Sequence, residues 1–135
     1  MKNLIVSSLD SERIRQRILD ARSKTGLTKE LQVLLNDLNN AKVMDPQKIP
    51  SDVLTMNSVV KLSYLNNNRS MQIKIVYPEE ADVKSQKVSI FAPLAVALLG
   101  SKKGDIVSWS VNNVSVRVKI DDIVYQPEAV GDFEA

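Results

Sequence analysis

The hydrophobic pattern of this chain changes its period once, and the change divides the sequence into two unlike parts. Up to about residue 45 the apolar residues recur every three or four positions, as on one face of a helix. From about residue 59 they alternate with polar residues, as in half-buried strands. Pro46 and Pro50, which disfavour helix at the preceding residue, lie between. The sequence therefore predicts an α+β protein with two domains, residues 1–48 and 49–135.

Two amphipathic helices are predicted in residues 1–48. Ser8 or Asp10 is placed to cap the first helix and Thr28 the second, and Gly26 supplies the chain reversal between them. Two arms of about 15 residues would each be about 22 Å long, which predicts a short antiparallel helical hairpin, a coiled coil. The apolar stripes of the two helices are Leu9, Ile14, Ile18 and Ala21, and Leu27, Leu31, Leu34, Leu38 and Ala41.

Residues 49–135 predict a mainly antiparallel sheet with one short helix. Asn66–Asn68 and Asn112–Asn113 are turn signals, because asparagine tolerates positive φ. Pro93 suits the first position of a helix and Gly100 its C-terminal end, so a single short helix is predicted with a strand on each side. The alternating residues of the other strands are Val60, Leu62 and Tyr64, then Met71, Ile73, Ile75 and Tyr77, then Val114, Val116, Val118 and Ile120.

Composition excludes several classes of catalytic and ligand-binding site. The chain has no cysteine and no histidine, so it has no disulfides, no thiolate metal sites and no histidine base. Gly100 and Gly104 have three residues between them and Asp105 follows, whereas a phosphate loop needs four residues and then Lys-Ser or Lys-Thr. We therefore expect no catalytic residues, no metal and no cofactor.

Hydropathy gives an expectation about location. No apolar run approaches the roughly 20 residues that cross a bilayer. The first apolar run, residues 4–6, is shorter than the stretch of about 7 or more in a secretory signal. We expect a cytoplasmic protein with no membrane partner, and the sequence leaves the oligomeric state open.

One segment, "VYPEEADVKSQKVSIFAPLAVALLGSKKGDIVSW", resembles the C-terminal domain of the Gre transcript cleavage factors. That family has a P-x-E-A-D stretch, a Ser-Pro helix start, A-L-L-G and then G-D. "MNSVVKL", "APLAVALLG" and the ending "YQPEAVGDFEA" look more closely like the regulators of nucleoside diphosphate kinase, a group within the GreA/GreB superfamily. The resemblance implies an FKBP-like sheet domain that docks on RNA polymerase at the rim of its secondary channel, with the coiled coil pointing toward the channel.

The resemblance also implies a docking surface around the start of the short helix. It would consist of Ser89, Phe91, Ala92, Pro93 and Leu94. Phe91 stands where Gre factors often carry an acidic residue and Ala92 where they carry serine, so the contact expected here is more apolar. Phe91 has a second interpretation, as a residue that closes the core of the sheet.

The hairpin tip departs from the family. Gre factors present paired carboxylates there, which help to hold a magnesium ion for RNA hydrolysis at the polymerase active site, a task for oxygen ligands. In this chain the tip offers Arg22, Lys24, Thr25, Thr28 and Lys29. The resemblance therefore implies a non-catalytic regulator of elongation that competes with Gre cleavage factors for RNA polymerase.

Two alternative functions remain open at the level of sequence. Residues 11–29 hold six lysines or arginines against Glu12 and Asp20, a net charge of +4, so the hairpin could bind nucleic acid directly or touch it in the elongation complex. An FKBP-like fold also suggests a prolyl isomerase, by analogy of fold alone. Glu79, Glu80 and Asp82 lack the spacing of a calcium loop and are expected to face solvent or a partner.

Overall fold

The chain forms a helical hairpin followed by a five-stranded sheet in this computed structural model, which describes residues 4–111 and 113–132. The predicted mixture of helix and mainly antiparallel strand is confirmed. The elements are β1 (Ile5–Ser7), α1 (Ser8–Thr25), α2 (Lys29–Asn40), β2 (Lys42–Met44), β3 (Val59–Tyr64), β4 (Ser70–Val76), β5 (Lys87–Ser89), α3 (Pro93–Leu98), β6 (Ile106–Val111) and β7 (Val114–Tyr125).

The ends of the two long helices are fixed by local hydrogen bonds. Thr28 caps α2 as predicted. Its hydroxyl accepts a hydrogen bond from the backbone N–H of the third residue after it, at a distance of 3.2 Å. Gly26 has the predicted reversal conformation, with φ 77°. The cap of α1 is Ser7, whose hydroxyl accepts the Asp10 N–H at 3.0 Å, so the prediction of Ser8 or Asp10 is wrong. Ser7 is the last residue with extended backbone, whereas Ser8 and Asp10 already lie within the helix.

The base of the hairpin is closed by two short parallel strands. In the register of β1 and β2, Ile5 pairs with Lys42 and Ser7 with Met44. The hydrophobic pattern does not predict these strands, because three residues are too few to show an alternation. The helices are unequal, with 18 residues in α1 and 12 in α2, so they measure about 27 Å and about 18 Å.

The larger sheet has the strand order β5-β4-β3-β7-β6. All neighbours are antiparallel except β4 and β5, which are parallel. Strand β3 shows the expected alternation, since Val60 and Leu62 are fully buried and Lys61 between them is exposed. Helix α3 lies in the chain between the two edge strands β5 and β6, and it contacts β6 and α2.

A single apolar core joins the hairpin to the sheet. Ile14 and Ile18 of α1 and Leu34 of α2 are buried to 2% exposure or less in the same cluster as Leu62 and Ile75. The hairpin is therefore packed on the sheet domain along α2 from Leu31 and along α1 as far as Ala21. Leu27, predicted for the apolar stripe of α2, precedes that helix and is exposed. The division after residue 48 and the coiled-coil geometry stay predictions.

The predicted turns are confirmed where the structure describes them. Asn68 and Asn113 have positive φ, 56° and 66°, while Asn112 lies outside the described residues. Gly100, with φ 79°, lies one position beyond Leu99, the C-cap of α3. The Gly100 N–H donates to the Leu54 carbonyl at 3.0 Å, so this glycine also fastens the end of α3 to the preceding loop.

Gly100 is also where the sheet domain approaches strand β1, which gives a test of the packing. A Cβ at Gly100 would lie 3.1 Å from the Ile5 carbonyl oxygen, whereas one at Gly104 would meet nothing within 4 Å. Both glycines have positive φ, so Gly104→Ala should cost about 1 kcal/mol from backbone conformation alone. We expect Gly100→Ala to cost about 1–2 kcal/mol more in urea unfolding, because the backbone of β1 must move. Equal losses would contradict this packing.

Candidate functional site

The predicted docking residues lie on a tight turn between β5 and α3. The Ser89 hydroxyl accepts the Phe91 N–H at 3.0 Å, and the Ser89 carbonyl accepts the Ala92 N–H at 2.9 Å. Pro93 is the first residue of α3, as predicted, and is exposed. Phe91 and Leu94 are half-buried, with one side against the core. The turn therefore holds a small apolar surface in a fixed position, and Phe91 serves both core and surface.

This turn borders a groove between α2, α3 and β6. Val33, Pro93 and Trp109 are among the apolar residues that line the groove, and its polar lining includes Lys29 and Asp37. Val33 is 44% exposed, so apolar surface is open to solvent there. The groove brings together Pro93 from the predicted docking surface and Lys29 from the predicted tip, two residues that are 64 positions apart.

The hairpin tip stands clear of the core. The last buried side chain of α1 is Ile18, and residues 22–29 are all exposed. Thr25, the last residue of α1, lies seven positions beyond Ile18, which is about 10 Å along the helix. Ala21 between them still packs against the core. No residue between Arg22 and Lys29 is acidic. The tip thus presents hydroxyl and cationic groups at the end of a short projection.

Part of the positive charge of the hairpin is already neutralised. The Arg17 guanidinium pairs with the Glu79 carboxylate at 2.6 Å and lies 4.2 Å from the centre of the Tyr77 ring. This hydrogen bond holds the pKa of Glu79 below its usual value. Lys24 pairs with Asp20 at 3.3 Å. Sequence counting therefore overstates the cationic surface. The positive charge at the tip that no ion pair among the described residues offsets rests on Arg22 and Lys29.

A buried carboxylate at the base of the hairpin was not predicted. Asp10, considered above only as a helix cap, is 2% exposed and accepts the Met56 N–H at 3.2 Å and the Tyr77 hydroxyl at 3.5 Å. Burial, and to a smaller extent the negative charge of Glu128, raise the pKa of Asp10 to about 7. Burial also raises the pKa of Tyr77. Asp10 thus links α1 to two distant parts of the sheet domain.

The raised pKa of Asp10 predicts that stability falls as pH rises. The folded chain keeps this proton up to about pH 7, whereas the unfolded chain releases it near the usual aspartate pKa of 3.8. The stabilisation is therefore complete below pH 3.8 and is lost as pH rises through about 7. We expect Asp10→Asn, which keeps an acceptor for Met56, to gain on the order of 1–3 kcal/mol over wild type from acid to neutral pH. Denaturant unfolding across this range checks it, and parallel curves for both proteins would contradict it.

Two of the three acidic residues after β4, Glu79 and Asp82, make contacts within the protein. Glu79 pairs with Arg17, and the Asp82 carboxylate accepts the Lys84 N–H at 3.1 Å and the Ser85 hydroxyl at 3.0 Å. Among the described residues there is no cluster of three or more acidic side chains that could hold a metal ion. Within residues 4–111 and 113–132, the helices also lack the length and apolar character that crossing a bilayer requires.

Comparison with known proteins gives one consistent family. Residues 49–125 match the family described as transcription elongation factor, GreA/GreB, C-terminal. A regulator of nucleoside diphosphate kinase from Escherichia coli K12 is 34% identical over 131 residues, which are 96% of this chain and 95% of that protein. Transcription elongation factor GreA from Acetivibrio thermocellus is 38% identical over 90 residues, 67% of this chain and 57% of that protein.

A solved structure agrees with these sequence matches over most of the chain. The transcription elongation factor GreA/GreB of Nitrosomonas europaea superposes with a TM-score of 0.74 at 34% identity, and the match covers 91% of this chain and all of that one. Gfh1, with a TM-score of 0.51 and 18% identity, shares the fold. The agreement includes the helical hairpin as well as the sheet, because it extends over nine-tenths of the sequence.

Proposed function

Because the chain belongs to the GreA/GreB family of transcription elongation factors, we propose that it is a non-catalytic regulator of elongation that binds RNA polymerase near the secondary channel. The sheet domain, with an FKBP-like fold, docks through the turn that holds Ser89, Phe91, Ala92, Pro93 and Leu94. The hairpin of residues 1–48 points toward the channel. The protein acts in the cytoplasm and needs no metal or cofactor of its own.

One observation carries this proposal. The surface around Pro93 is apolar, half-exposed and rigidly held, while the tip of the same molecule has no carboxylate between Arg22 and Lys29. The chain therefore combines a surface suited to a protein contact with a tip that lacks the carboxylate ligands for a magnesium ion. Such a molecule occupies a site without supplying the chemistry that a Gre factor brings to it.

A protein that occupies the Gre site on the polymerase without promoting RNA cleavage is expected to compete with Gre factors. A protein that binds the polymerase rim excludes a Gre factor there in proportion to its concentration divided by its dissociation constant. The groove between α2, α3 and β6 extends the contact beyond the turn, since Pro93 borders both. A bound polymerase segment would then meet Val33 and Trp109 as well as the turn residues.

A direct test is a titration of Gre-stimulated RNA cleavage in stalled elongation complexes. Increasing amounts of this protein should slow cleavage, and adding more Gre factor should restore the rate, because both compete for one site. Inhibition that excess Gre factor leaves unchanged would contradict a shared site. Absence of inhibition at saturating concentration would contradict the proposal as a whole.

Direct binding of nucleic acid is the second candidate, and the exposed cations Arg22, Lys24 and Lys29 favour it. It predicts a shift of naked RNA or DNA in gels that weakens steeply with salt. Replacing all three residues by glutamine should abolish that shift and leave inhibition of Gre factors in place if the polymerase contact is the main one. Prolyl isomerase activity rests on fold analogy alone, and no contact described here favours it.

A further inference from the structure

A second groove lies along the C-terminal half of β7, where the sheet has an open edge. Strand β6 pairs with β7 only from Val114 to Lys119. The next residue, Ile120, is still covered, because its N–H donates to the Asp105 carbonyl at 2.9 Å and its carbonyl accepts the Gly104 N–H at 2.8 Å. From residue 121 to 125 no strand in residues 4–111 and 113–132 pairs with β7 on this side.

The walls of this groove expose apolar side chains. Val124 and Tyr125 of β7 and Val130 of the following turn are 49%, 36% and 62% exposed, and all three line the groove. A strand edge that carries exposed apolar residues is a template for pairing with another extended segment. The pairing of β7 with β3 shifts register twice between Ile120 and Tyr125, and such irregularities limit uncontrolled pairing at an edge. The exposed apolar side chains beside this short edge are the feature that points to a binding function.

The polar groups of the groove define what fits there. The Lys103 ammonium pairs with Asp122 at 3.3 Å, which leaves Asp52 as the carboxylate of the lining without an ion pair in the described part of the chain. The Gln126 side chain is 3% exposed and its amide donates to the Pro50 and Val53 carbonyls, at 2.8 and 2.6 Å.

The carbonyl end of Gln126 has no partner. Among the described residues, nothing donates a hydrogen bond to its buried Oε1 atom. Rotating the side-chain amide by 180° would place its oxygen beside the two backbone carbonyls, which are acceptors, so the oxygen would still have no donor. A buried acceptor without a donor is unusual in a folded protein. The groove therefore lacks a donor for Gln126, and its two carboxylates, Asp52 and Asp122, outnumber its one cation, Lys103.

We infer that this groove binds an extended segment of a partner protein, which adds a strand to the open edge of β7. Main-chain N–H groups of the segment pair with the edge, as in other cases of strand addition. Alternate aliphatic side chains pack against Val124 and Val130, and a lysine or arginine of the segment faces Asp52. The groove shares no residue with the turn at Pro93 or with the hairpin tip, so this inference does not rest on the function proposed above.

The experiment uses the full chain, labelled with ¹⁵N, and the acetylated and amidated hexapeptide Thr-Val-Lys-Val-Thr-Val as probe. We expect amide shifts confined to residues 51–52, 103 and 121–130. A peptide with glutamate in place of lysine should bind about fivefold more weakly. Asp52→Lys should reverse that order, whereas Glu12→Lys, the same change at an exposed site on α1, should leave it unchanged.

Apolar contact is tested by the double variant Val124→Ser/Val130→Ser, which should lose peptide binding at least about tenfold. Val83→Ser is the matched control, because Val83 is 93% exposed and lies outside the groove. Absence of shifts, shifts at another surface or binding that the double variant retains would overturn the inference. A dimer of the free protein that the double variant abolishes would also overturn it, since the occupant would then be a second copy.

Discussion

Replacing Phe91 by aspartate should raise the concentration needed to inhibit Gre-stimulated cleavage by about tenfold or more. In the proposed complex the exposed side of this ring lies against the polymerase rim, so aspartate would bring a carboxylate into an apolar contact. Desolvating an unpaired polar group costs about 1–3 kcal/mol or more, and each 1.4 kcal/mol is a factor of ten in affinity. The measurement is the inhibition curve of wild type and variant against the same Gre factor.

The control for this variant follows from the position of Phe91 in the fold. The ring is half-buried and packs against the core, so Phe91→Asp also removes core contacts. Thermal unfolding must show that the variant is folded at the assay temperature. Val114→Asp is the matched variant, because Val114 is 62% exposed at the turn between β6 and β7. Undiminished inhibition by a folded Phe91→Asp protein would exclude Phe91 from the contact.

The protein is also expected not to stimulate RNA cleavage by the polymerase. This protein should give no detectable increase in RNA cleavage in backtracked complexes without a Gre factor, whatever the magnesium concentration. The tip lacks carboxylates that would hold the ion, and the exposed cations Arg22 and Lys29 repel it. Shortened transcripts that depend on both this protein and magnesium would refute the prediction.

Adding carboxylates to the tip should not create the activity. Thr25 and Thr28 are exposed, and aspartate suits position 28 because that residue caps α2. The double variant Thr25→Asp/Thr28→Asp should therefore fold. We still expect no cleavage, since α1 projects only about 10 Å beyond Ile18, its last buried residue. Cleavage by the double variant would show that the arm reaches further than its length suggests.

The fold was largely predictable because its long elements have a strong period. The alternation in β3, β4 and β7 and the stripe on α2 each extend over at least six residues, enough to identify strand or helix. Strands β1 and β2 were missed because three residues carry no period. The packing of Ile14 and Ile18 into the core of the sheet was also missed. An apolar stripe in the sequence indicates which face of a helix is buried, but it does not identify the element that packs against that face.

The site was predictable only in its local parts. Pro93 and Thr28 were recognised from helix-end chemistry, and both lie where that chemistry places them. Contacts between distant residues left no signal in the sequence. The pairing of Arg17 with Glu79 spans 62 residues, and the bond between Asp10 and Met56 spans 46. An aspartate near the start of a helix is typical of a helix cap, so the sequence does not indicate that Asp10 is buried.

Capture of purified core RNA polymerase by the immobilised protein tests the central claim most directly. We predict that the polymerase is retained, that excess GreA releases it, and that immobilised Phe91→Asp retains markedly less than Val114→Asp. Release by GreA matters most, because it shows that both proteins use one site on the polymerase. The account would be contradicted if the immobilised protein retained no polymerase at a concentration that saturates immobilised GreA. It would also be contradicted if the polymerase were retained and excess GreA failed to release it.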